Sequence, residues 1–217
     1  MNQLNPVEIR VLGCLAEKEL ATPEYYPLTL NALVNACNQK SNRDPVVNFD
    51  EMTVAAALES LRPVGLVTQS TEGGRVAKYC HNLDGKLKLD PVELAVMAEL
   101  LLRGAQTAGE LRQRASRMTS LETLGQVEEV LHELLDRDIP IITRLPRQPG
   151  RKEHRFAQLL GGEIEPQAGL MPEPPPAVQQ VQADNARISE LERQVAELRR
   201  EWAKLREEFQ TFRQEFE

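Results

Sequence analysis

Aromatic side chains supply only 4% of the 217 residues, and three of the five Phe together with the single Trp lie beyond residue 200. The first 165 residues must therefore pack on aliphatic side chains, which suits small helical domains. Cysteine is equally sparse. Cys14, Cys37 and Cys80 are odd in number and far apart, and they match neither a disulfide framework nor metal-ligand spacing. That pattern points to a reducing compartment and to thiols used as small core filler. No basic region leads into an apolar stretch between Met1 and Pro6, and no apolar run approaches a membrane span. The expected location is therefore the cytoplasm, with no membrane contact. His81, His132 and His154 are scattered, no carboxylate–histidine cluster has metal spacing, and no glycine loop has phosphate-binding form. A non-enzymatic protein without a cofactor is the expectation.

What the chain has is charge, unevenly placed. The net charge is -7, which would discourage approach to a phosphate polymer if it were spread evenly. By region, residues 1–84 carry 7 positive and 10 negative groups, residues 85–165 carry 12 and 13, and residues 166–217 carry 7 and 10. The middle third is nearly balanced.

The chain also repeats itself. Leu4-Asn5-Pro6-Val7-Glu8-Ile9 returns 85 residues later as Leu89-Asp90-Pro91-Val92-Glu93-Leu94. Both strings start a helix: Asn5 or Asp90 caps, Pro6 or Pro91 fits the first helical position, and Glu8 or Glu93 completes a capping box. The same order of elements follows each start. The first helix carries Val7, Val11, Leu12 and Leu15, or Leu94, Met97, Leu101 and Leu102. The second helix spans Leu28–Cys37, or Thr107–Ala115. The third carries Val54, Leu58 and Leu61, or Val127, Val130, Leu131, Leu134 and Leu135. An extended pair closes each copy, Gly65–Gln69 with Arg75–Cys80 around Glu72-Gly73-Gly74, and Ile139–Arg144 with Arg151–Phe156 around Pro146–Gly150. Arg103-Gly104 ends a helix with Gly104 at positive φ. Three helices and a hairpin describe a winged helix. The expected fold is mainly α with small β-hairpin wings: winged-helix domains at 1–84 and 85–162, packed on each other because each alone is small.

Two unusual strings, Thr22-Pro23-Glu24-Tyr25-Tyr26-Pro27-Leu28 continuing to Ala36-Cys37-Asn38-Gln39-Lys40-Ser41-Asn42-Arg43-Asp44-Pro45-Val46, and Leu100–Leu111, resemble the bacterial YceH-type family. The resemblance covers about residues 4 to 160. It implies tandem winged helices and little about activity.

A winged helix that reads DNA lays its third helix in the major groove and sets its wing on the backbone. Here the third helices turn Glu51, Met52, Thr53, Ala55, Ala56 and Glu59 outward in one copy, and Gln126, Glu128, Glu129, His132 and Glu133 in the other. Acidic helices must overcome phosphate repulsion before they read anything. The second wing differs, with Arg144, Arg147, Arg151, Lys152, His154 and Arg155 close together, a density that either clasps phosphates or balances Glu128, Glu129 and Asp136. Arg112, Arg114 and Arg117 on the neighbouring helix, and Arg75 and Lys78 on the first wing, would extend the patch. Asn38, Gln39, Lys40 and Arg43 suit base edges or phosphates. They equally suit turn chemistry, with Asn38 as a left-handed cap and Arg43 paired to Asp44.

Residues 163–180 hold Pro166, Pro172, Pro174, Pro175 and Pro176, a semi-extended linker. Residues 181–217 then carry a heptad seam at Ile188, Leu191, Val195, Leu198, Trp202, Leu205, Phe209, Phe212 and Phe216. Opposite charges meet across a parallel pair, Arg187 with Glu192, Glu201 with Arg206 and Glu208 with Arg213, so a parallel coiled-coil homodimer is expected. The competing arrangement is a helix folded back on its own domains. The leading functional expectation is a dimeric, double-stranded-DNA-associated or regulator-like protein. A protein–protein adaptor using acidic winged-helix surfaces is the alternative.

Overall fold

Asn5 and Asp90 open the two long helices as their capping chemistry predicts. In the computed structural model, which describes residues 3–70, 76–148, 151 and 153–162, α1 spans Pro6–Ala21 and α5 spans Pro91–Arg103, each with a complete capping box. The glutamate of each box also bonds near the C-terminal end of the third helix of its own repeat. Glu8 accepts from Asn5 N at 2.7 Å and from the Ser60 hydroxyl, while Glu93 accepts from Asp90 N at 3.0 Å and from Arg137 at 2.6 Å.

The element order then recurs. After α1 come a 3-10 turn at Pro23–Tyr25, β1 at Leu28–Thr29, α2 at Leu30–Cys37, α3 at Glu51–Leu61, β2 at Val67–Ser70 and β3 at Lys78–His81. A short α4, Leu83–Leu87, joins the copies. After α5 come β4 at Gln106–Thr107, α6 at Ala108–Ala115, α7 at Leu124–Leu135, β5 at Ile142–Arg144 and β6 at Arg155–Gln158. Each repeat holds a three-stranded antiparallel sheet, ordered β1-β3-β2 and β4-β6-β5.

The third strand is a correction to the sequence reading, which placed Leu28, Thr29 and Thr107 inside helices. Each pair of residues instead bonds to the returning strand, Leu28 opposite Tyr79 and Gln106 opposite Phe156. Thr29 and Thr107 then cap the next helix through their hydroxyls. A β-branched residue with a capping oxygen serves both roles, and a two-residue strand is too short for periodicity to reveal. Gly104 does take positive φ, at 68°.

One core serves both copies. The described residues lie in a single compact unit, Met1–Pro166, in which α1 packs along α5. Val11, Leu12 and Leu15 on α1 and Val96, Met97 and Leu102 on α5 are all fully buried. Gly13 permits the close approach: a Cβ there would lie 3.0 Å from both Leu101 Cβ and Leu102 Cγ. The linker at 163–180 and the heptad seam at 181–217, with Ile188 through Phe216, lie outside the described residues, as do Arg75 and Lys152.

Candidate functional site

Asn38, Gln39, Lys40 and Arg43 are the loop candidates for polar contacts to nucleic acid, and the structure commits two of them, Asn38 and Arg43, to internal hydrogen bonds. Arg43 is 5% exposed. Its Nε donates to Ala36 O at 3.0 Å, and its terminal nitrogens donate to both Glu17 carboxylate oxygens. A guanidinium spent in this way cannot reach a phosphate, and its partner is Glu17 rather than the adjacent Asp44. Asn38 exchanges two 2.7 Å bonds with the Phe49 backbone, and its φ of -91° is not left-handed. The left-handed residue is Asn42, at φ 57°. Its side-chain oxygen accepts from Arg103 at 2.6 Å. Of this set, Lys40 is exposed and Gln39 half-buried.

Arg43 joins an ionic core between the repeats. Glu17 on α1 and Glu99 on α5 are 1% and 0% exposed. Arg117, on the loop after α6, reaches them at 2.6 and 2.7 Å through one nitrogen. Arg103 lies 3.5 Å from Glu99. Burial alone would raise the Glu17 carboxyl, but the Arg43 hydrogen bond and the charges of Arg43, Arg117 and Lys18 hold it below its ordinary value. Burial would likewise lower the Arg117 guanidinium, yet its bonds to Glu99 and Glu17 raise it. Glu17 is therefore an ionised part of the framework, and Glu99 is tied to it through Arg117. The sequence offered no periodic signal for them, because a charge on an apolar helix face reads as an exception until its partner is known.

On the second hairpin, Arg144, Arg147 and Arg151 are exposed, and Arg147 donates to His154 Nε2 at 3.1 Å. Arg155 is committed elsewhere, donating to Ala105 O at 3.0 Å and to Glu110 at 2.9 Å. Arg114 donates to Gln106 at 2.6 Å, and Arg117 sits in the ionic core, so neither extends the patch; Arg112 remains exposed. Lys78 is half-buried in β3 opposite Thr29.

Beside that hairpin lies a groove of about 650 Å³ bounded by α7, the start of α6 and the β5–β6 pair. Its lining includes the apolar Leu124, Leu131, Leu135 and Phe156, with Glu128, Glu129 and Glu153 above them. Leu124 is 40% exposed. The outward face of α7 continues the acidic surface through Glu133 and Asp136, both exposed. Thr123 caps α7 and accepts from Gln126 N at 3.3 Å, which fixes the helix register and sends Val127, Val130, Leu131 and Leu134 inward. Their spacing leaves the carboxylates outside.

A further titratable cluster surrounds His81. His81 is 6% exposed, its Nδ1 accepts from Leu83 N at 3.1 Å, and its Nε2 meets the Glu19 carboxylate. That arrangement places the proton of the neutral ring on Nε2. Burial holds the imidazole below its ordinary value, outweighing Glu19 and Asp84. The Tyr26 hydroxyl accepts from His81 N at 2.8 Å, and burial together with Glu19 pushes the phenol upward. Among the described residues no group of three or more His, Cys, Asp and Glu is placed to hold a metal ion, and no helix is long and apolar enough to cross a membrane.

These features define a mixed chain of helices and small antiparallel sheets, twice repeated, with an ionic core and an open acidic groove. The chain belongs to the family described as "Protein of unknown function, DUF480", whose model matches residues 4–151. It is 61% identical over 193 residues to a UPF0502 protein of Geotalea uraniireducens, covering 88% of each chain. A UPF0502 protein of Geobacter metallireducens is 58% identical over 193 residues, again with 88% of each chain covered. One of Geobacter sulfurreducens is 56% identical over 193 residues with the same coverage.

Proposed function

We propose that this chain is a non-catalytic, cytoplasmic tandem winged-helix protein of YceH type that docks a partner protein through the groove between α7 and the second hairpin. The supporting element order is three helices with a β-hairpin and a short third strand, present twice. One observation carries the choice of partner class. The helix that would enter a major groove, α7, faces outward with Glu128, Glu129, Glu133 and Asp136 beside an open apolar floor. A carboxylate face repels phosphate, whereas a concave apolar surface with polar walls suits a protein segment.

The duplex-binding reading stands second, favoured by the exposed Arg144, Arg147 and Arg151. In it, the hairpin holds the backbone, and a parallel homodimer through Ile188–Phe216 supplies avidity. A photo-crosslinking residue placed in the full chain at Leu124, and separately at Arg147, separates the two. The docking reading expects protein adducts from position 124. Nucleic-acid adducts from position 147, with none from 124, would put the duplex reading first.

A further inference from the structure

Among the described residues that line the α7 groove, three carboxylates, Glu128, Glu129 and Glu153, stand against one arginine, Arg144. Glu133 and Asp136 carry the negative surface along the outward face of α7. A wholly apolar occupant would strip water from these carboxylates without replacing their partners, which costs several kcal/mol per buried charge. An acidic segment or a phosphate backbone would meet like charge at close range. Only an occupant with cations at the rim and apolar side chains at the floor satisfies both surfaces. The floor is accessible to such side chains, since Leu124 is 40% exposed and Phe156 and Leu135 are half-buried. From Leu124 to Leu135 the helix runs about 16 Å at 1.5 Å per residue. That length matches roughly five residues of extended chain.

Resting on the docking reading above, we propose that this groove binds a linear segment of a partner protein in which lysine or arginine alternates with large apolar side chains. The apolar side chains seat beside Leu124, Leu135 and Phe156. The cations meet Glu128 and Glu129 on the helix and Glu153 on the hairpin.

The test uses the full chain and a fluorescein-labelled twelve-residue peptide of alternating Lys and Leu, with an alternating Glu and Leu peptide as comparison, read by fluorescence anisotropy. The Lys/Leu peptide should bind, weaken with added salt, and lose about tenfold or more in affinity with Glu128→Lys combined with Glu129→Lys. Leu124→Glu should weaken it comparably, and Glu51→Lys on α3 should leave it unchanged. Should the α7 variants lose their thermal transition, Glu153→Lys on the hairpin provides the same comparison from the other wall. If the Glu/Leu peptide binds instead, and Leu124→Glu abolishes that binding, the groove docks proteins but the basic partner class is wrong. If no binding of either peptide responds to Leu124→Glu, the docking reading falls together with the proposal.

Discussion

Arg43 and Glu17 form an ion pair inside the protein, with side chains 0% and 1% exposed. Removing Arg43 leaves Glu17 buried with only Arg117 and Lys18 to offset its charge, a loss approaching the roughly 3 to 5 kcal/mol that follows when a buried charge loses its partner altogether. Arg43→Met should therefore lower the urea midpoint sharply, while Lys40→Met, three residues away on the exposed side of the loop, should change stability by less than about 0.5 kcal/mol. Adding Glu17→Gln to Arg43→Met should recover part of the loss. An Arg43→Met protein as stable as the parent would show that the pair does not hold the fold.

Gly13 tests the helix crossing. Its Cβ would stand 3.0 Å from Leu101 Cβ, tighter than core packing accepts, and overpacking costs about 1 to 3 kcal/mol. Against this, Ala is favoured over Gly in a helix by about 1 kcal/mol. Gly13→Ala should be net destabilising, and Gly13→Val more so, in thermal melts. Stabilisation by Ala would mean that α1 and α5 separate without penalty.

Acid should act in two stages. His81 is held below its ordinary 6.5 by burial, so folding binds it as the neutral form. The unfolded chain then takes up a proton first, and the stability due to His81, full above pH 6.5, declines as pH falls through its folded value. Glu17 is also depressed, from 4.5. Its contribution is full above that pH and is lost as pH falls further. Urea midpoints measured from pH 8 down to pH 3 should be flat above 6.5 and fall below it. His81→Gln, which keeps an acceptor for Leu83 N, should remove the first decline and leave the second.

Duplex affinity should show little salt dependence if α7 docks proteins. Each phosphate contact adds about 0.9 to the slope of log affinity against log salt. Reversing Arg144, Arg147 and Arg151 to Glu is the control: a steep slope in the parent, lost on reversal, would establish the hairpin as a backbone clamp.

Self-association is expected to follow the heptad seam from Ile188 to Phe216. Light scattering on a chain ending near Leu160, whose carbonyl accepts from Leu4 N at 2.8 Å and closes the core, should give a smaller number of protomers than the full chain. Equal numbers would place association on the folded repeats instead.

The repeat, both capping boxes and the turn at Gly104 were legible because each is written in local chemistry within a few residues. The carboxylate face of α7 was legible for the same reason, since helical periodicity alone decides which side chains point out. The loop at Asn38–Val46 was not. Whether Arg43 faces water or Glu17 depends on a residue 26 positions earlier, and Asn42 bonds to Arg103, 61 positions later. Polar residues in a loop look alike from sequence whether they solvate a surface or cross-brace a core. The strands β1 and β4 were missed because two residues cannot display an alternation.

The packing of α1 along α5 has a consequence during synthesis. The last residue of α1 is Ala21 and the last of α5 is Arg103, so at about 5–20 residues per second the ribosome takes roughly 4 to 16 seconds to deliver the second helix after the first. Throughout that interval the side of α1 that α5 will cover is wet, Gly13 included. The nascent first repeat is thus a half-finished surface awaiting its own duplicate.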